Sequence, residues 1–171
     1  MSIVKSLYPV STTVPIACSI ALLPSDAGLL IGWTSAAIDN TTNLDLSHHI
    51  SGTIRAGATA PTVGTTIEIW AYAAIKMAAS APTFPDGILG ADAASTRTSL
   101  NAKFSGLTFL KAITVDAIAA RDYSFGPIDI AARYDGFMPQ QYGLFIVQNT
   151  GQTLNATQVA LQYDRKQTQV I

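Results

Sequence analysis

The chain has 171 residues, a formal net charge of −1, 49% hydrophobic residues and only 12% charged ones. Globular domains usually carry about 25% charged residues; a charge-poor, hydrophobic chain of this length is no disordered polymer and is expected to bury one core of its own. The near-neutral balance also argues against nucleic-acid binding, which needs a net basic footprint.

Of the eleven acidic residues, Glu68 is the single glutamate and the rest are aspartates. Helical surfaces favour Glu, Lys, Gln and Arg, whereas Asp competes for backbone hydrogen bonds and collects at caps and turns. With abundant Thr, Ser, Ile and Val, punctuated by Gly and Pro, the composition predicts a β protein.

In chain order, Met1 to Thr13 shows no periodicity and is expected to be an extended arm, set off at residues 1–15 from a domain at 16–164. Val14 to Leu23 is apolar but has Pro15 at its start and Pro24 at its end, which does not suit a secretory leader, and it is far short of the about 20 residues that span a bilayer. Its alternation, with Ile16, Cys18, Ile20 and Leu22 on one face, predicts a half-buried strand. Cys18 is the single cysteine, so no internal disulfide or thiolate metal site can form, and it is expected to be a small buried hydrophobe.

Leu29 to Trp33 predicts a second strand. The cleanest period-two run then places Leu44, Leu46, His48, Ile50 and Ile54 inward and Asp45, Ser47, His49, Ser51, Thr53 and Arg55 outward. Gly57 to Gly64 reads as a hairpin loop, followed by a strand from Thr65 to Ala74. After an irregular passage broken by Pro82 and Pro85, Ala93 to Phe104 is the best helix candidate, with loop as its rival. Further strands are expected at Leu107–Val115, around Asp122–Pro127, at Tyr142–Val147, which is nearly all apolar and so central, and at Val159–Asp164, with one helical turn at Ile130–Tyr134. The polar tail, residues 165–171, is left either loose or docked on a neighbour. About eight short strands with Gly/Pro-rich turns and one short helix predict a single-domain antiparallel β-sandwich of jelly-roll type.

The chemistry-bearing residues are few. His48 and His49 are the only histidines, and neighbours on a strand point to opposite faces, so they cannot share a metal; His48 falls on the apolar face and needs a buried partner. No G-x-S-x-G elbow occurs, and the Gly57–Thr66 stretch lacks the lysine and following helix of a phosphate loop. The aspartates look turn-placed, not paired for glycoside hydrolysis, and none lies in an EF-hand-like run. No catalytic residue, metal site or cofactor is therefore expected. Trp70 and Tyr72 share a strand face: a sugar-stacking platform, the inside of a second sheet, or a subunit contact.

From roughly Asp39 to Tyr163 the chain resembles small tailed-bacteriophage virion proteins. The resemblance rests on Asp39-Asn40-Thr41-Thr42-Asn43-Leu44, Ser51-Gly52-Thr53-Ile54 and Thr83-Phe84-Pro85-Asp86. It continues through Asp122-Tyr123-Ser124-Phe125-Gly126-Pro127, Gly136-Phe137-Met138-Pro139, and Asn149-Thr150-Gly151 ahead of Leu154-Asn155-Ala156. It implies a capsid cement or decoration protein on the virion exterior that clamps the major capsid protein, commonly as a homotrimer, with no membrane or nucleic-acid partner. The partner contacts expected on that reading are Val4, Leu7, Tyr8 and Val10 of the arm, with Trp70 and Tyr72. A tail or fibre position, or a carbohydrate-binding sandwich using Trp70 and Tyr72 or Trp33, is the alternative.

Overall fold

Strands form where period-two runs of Ile, Val, Thr and aromatic residues find a face to bury. The computed structural model describes residues 4–7, 13–75, 82–158 and 160–170. Its strands are β1 (Val4–Leu7), β2 (Val14–Pro15), β3 (Ile31–Thr34), β4 (Ile38–Asp39), β5 (Ser47–Arg55) and β6 (Thr66–Ala73). They continue with β7 (Ala93–Thr96), β8 (Thr108–Thr114), β9 (Asp122–Asp129), β10 (Gln141–Gln148) and β11 (Leu161–Val170), and one helix, α1 (Leu100–Gly106), lies between β7 and β8. A 3-10 turn at Ala131–Arg133 occupies the place expected for a helical turn.

All pairings are antiparallel and fall into two sheets, one in the order β1-β11-β5-β9 with β2 also on β11, the other β7-β3-β10-β6-β8 with β4 also on β10. β1 and β2 are successive pieces of one broken strand along β11, and β3 and β4 the same along β10. Taken so, with β7 set aside as an insertion, the chain crosses between the sheets at every step except from β6 to β8, which pair with each other, as in a jelly roll. The loop from Gly57 to Gly64 therefore crosses from one sheet to the other and is not a hairpin.

Between the sheets, Ile50, Ile54, Phe125, Ile128 and Leu161 meet Ile67, Ile69, Leu110, Leu144 and Ile146. The second sheet is covered on its outer face too. Trp70, Tyr72, Phe145 and Val147 pack there against Phe84, Ile88 and Leu107 from the inserted segment. Burial on both faces explains why β10 is almost continuously apolar. Two buried cations hold the insertion, Lys103 tying it to the sandwich and Arg97 tying it to itself. Lys103 donates to Glu68 at 2.6 Å and to the Leu29 carbonyl at 2.9 Å, and Arg97 donates to the Asp86 carbonyl at 3.0 Å.

Three expectations need correction. Ala93–Phe104 is not one helix: Ala93–Thr96 completes the free edge of β3, and the helix starts only after Ser99, whose Oγ accepts from the Ala102 amide at 3.1 Å. The run from Ile16 to Leu22 keeps its alternation as far as Ile20 but forms no strand; the Ile16 amide donates to the Leu161 carbonyl at 2.8 Å and that of Ser19 to Asp92 at 2.8 Å, whereas that of Ile20 turns back to the Cys18 carbonyl, and Leu22 takes φ 58°. The arm and tail are not separate appendages, because Val4–Leu7 pairs with Gln167–Val170 within the chain.

Candidate functional site

The residues before β5 fold against their own alternation. Asn40 closes a tight loop on Asp45: its Oδ1 accepts from the Asp45 amide at 2.8 Å, and its Nδ2 donates to the Asp45 carbonyl at 3.1 Å. Between them Leu44 adopts φ 50°, the left-handed region that non-glycine residues avoid. The Asp45 side chain turns inward and is fully buried, while Leu44 and Leu46 on either side are 73% and 42% exposed. The expected pattern, leucines in and aspartate out, is inverted there.

Inversion is stabilised by partners that arrive from far along the chain. The Asp45 carboxylate accepts from Arg165 Nε at 2.6 Å and Nη2 at 3.0 Å, from Gln167 Nε2 at 2.7 Å, and from His48 Nε2 at 2.9 Å. Burial alone would raise its carboxyl pKa; the hydrogen bonds outweigh burial and hold it below the usual range. With the His48 proton on Nε2, Nδ1 is left to accept from the Tyr142 hydroxyl at 2.9 Å, so the neutral ring is fully bonded. Burial lowers the His48 pKa despite the pull of Asp45, and burial raises that of Tyr142. Tyr163 stacks on the ring at 4.4 Å between centroids. The buried partner expected for His48 is therefore present, in duplicate.

An Asp–His–Tyr chain has the components of a proton relay, but Asp45, His48 and Tyr142 are all buried. What this end of the domain offers to solvent is apolar. Leu44, Leu46, Phe137 and Met138 border an open groove of about 280 Å³, and Phe137 is 79% exposed.

Trp70 and Tyr72 do share a face, but not an outer one. They are 4% and 0% exposed beneath the inserted segment, with Tyr72 Oη donating to the Ser35 carbonyl at 2.7 Å and Trp70 Nε1 to Glu68 at 2.9 Å. Their expected role as partner contacts is corrected to packing within the chain. Trp33 is half-buried against the core. Val4 and Leu7 lie on β1, whose backbone is engaged by β11, and Tyr8 and Val10 fall outside the described residues. His49 Nε2 lies 3.5 Å from Asp129 on the polar face. Cys18 packs against the core, and burial pushes its thiol pKa up.

Some aspartates cap turns, as their composition suggested, while Asp92 ties a distant segment and Asp122 and Asp129 lie on β9. Asp26 accepts from the amides of Gly28, Leu30 and Ile31, Asp39 from Thr41, Asp92 from Ser19, and Asp116 from Ile118. Among the described residues no group of three or more His, Cys, Asp or Glu side chains is placed to hold a metal ion, and no helix is long and apolar enough to cross a membrane.

The residues that sequence reasoning missed are Asp45, Arg165 and Gln167, with the Leu44–Phe137 groove. A signal existed in Asp45-x-x-His48, which puts an acid near a histidine that needs a partner. In comparisons with known proteins, no family model, curated protein or solved structure matches the chain.

Proposed function

We propose that this domain is a structural virion protein, a cement or decoration subunit that binds and stabilises the major capsid protein shell of a tailed bacteriophage, acts as a homotrimer and performs no reaction. The observation that carries the reading is a charge-poor jelly roll bearing large apolar side chains in water: Leu89 is 86% exposed, with Phe137 and Leu44 close behind. Apolar side chains grouped on a small domain mark contact surfaces, and covering them removes little charge from water.

Two segments that carry the resemblance to virion proteins, Asp39–Leu44 and Gly136–Pro139, meet at the groove. Turn residues thus build an exposed apolar surface, which is what a clamp needs. The carbohydrate-binding alternative loses its paired platform with Trp70 and Tyr72 buried and keeps only the half-buried Trp33.

The reading is tested by adding purified protein to phage particles that lack it. Co-sedimentation with heads and a raised temperature of shell disruption are expected. Binding to tails alone would move the protein to the tail or fibre position.

A further inference from the structure

The same end of the domain carries an unfinished sheet. β5 pairs with β11 from Leu161 to Lys166, and from Gln167 to Val170 the partner of β11 is β1 on the opposite side. Along that stretch, among the described residues, the outer edge of β1 and the β5-side edge of β11 both lack a neighbouring strand. Two strands alone are marginal in water, and unpaired edges invite another strand.

The ribbon is continuous with the apolar groove. The Leu46 amide donates to the Lys166 carbonyl at 2.7 Å, and Gln167 donates to Asp45. Leu44 breaks two local rules at once, a left-handed backbone and an exposed large apolar side chain, and such coincidences gather at functional sites. The chain commits a buried carboxylate, an arginine and a histidine to keep these leucines outside.

We propose that a second copy of this chain covers this end: the ribbon of one copy adds its free β1 edge to the free β11 edge of the next, and Leu44, Leu46 and Phe137 are buried in the contact. The occupant follows from the edges. Every copy presents both, and they are unlike, so head-to-tail pairing satisfies the two together and builds a ring where the rotation between copies closes, whereas an unrelated strand would satisfy one. With a net charge of −1, copies do not repel one another strongly. This deepens the self-association part of the proposed function and does not depend on a capsid.

Sedimentation velocity over a dilution series tests it, beside the triple variant Leu44→Ser, Leu46→Ser, Phe137→Ser and the control Leu89→Ser. The wild type and the control should associate, and the triple variant should associate on the order of a hundredfold more weakly. Hydrogen exchange on the undisturbed wild type reads the ribbon itself: amides of residues 4–7 and 167–170 should be protected when concentrated and exchange faster when diluted. A wild type that is monomeric throughout, or a triple variant that associates unchanged, overturns the inference. Shell binding measured on the same preparations separates the two readings. A monomer that still stabilises particles sinks this inference alone, and an assembling protein that ignores shells sinks the proposed function alone.

Discussion

Asp45 holds together groups separated by 120 positions in sequence, so its removal should be felt far beyond the loop it closes. Asp45→Ala leaves Arg165 and His48 without their shared acceptor, and loss of one member of a buried pair costs about 3–5 kcal/mol, measurable by urea unfolding. The network also sets a pH dependence. In the unfolded chain His48 titrates near the ordinary value of about 6.5; in the folded protein burial lowers its pKa against Asp45, with Arg165 and His49 adding to the fall. As pH drops through about 6.5 the unfolded chain gains a proton that the folded chain refuses. Stability is thus full above that pH and declines on acidification until folded His48 itself titrates. Asp45, also lowered, adds a loss of the same sign below about pH 4. His48→Gln should flatten the first decline in urea midpoints taken between neutral and mildly acidic pH; an unchanged slope would remove His48 as its cause. The need of His48 for a partner was legible in the alternation of β5. The inversion at Leu44–Leu46 was not, because periodicity carries no knowledge of an arginine and a glutamine on the last strand.

At the scale of elements, the insertion between β6 and β8 decides how the second sheet is buried. A Cβ on Gly143 would fall inside the Tyr72 ring, whose hydroxyl is tied to Ser35, so that ring cannot simply turn away. Gly143→Ala should lower stability by about 1–3 kcal/mol through overpacking, read from the thermal midpoint. Ser99→Ala, which removes the cap of the seven-residue α1, should cost about 1 kcal/mol, with hydrogen exchange rising first in α1. Strands with a buried face were readable: β5, β6, β8 and β10 lie within a few residues of their expected places. Misreadings fell where pairing, not pattern, decides. Ala93–Thr96 is a strand because β3 offers an edge, and β11 runs past Asp164 through polar residues because β1 pairs with it.

For the whole molecule, repeated crossing of the chain between two sheets, interrupted only by the β6–β8 pair, is what turns a set of ordinary strands into a jelly roll, and it places the first and last strands side by side. That neighbourhood, with the apolar groove beside it, is the basis for treating the domain as a unit of assembly. The sandwich class was legible from composition and turn spacing. The proposed contact surface was not, since the expected aromatic pair is internal and the exposed apolar side chains lie in segments that resemble turns. The most direct test of the account is the heat-disruption temperature of phage heads lacking this protein, measured before and after its addition. Saturable binding to the heads and a higher disruption temperature are expected; heads that neither bind the protein nor change their disruption temperature would rule out a cement role.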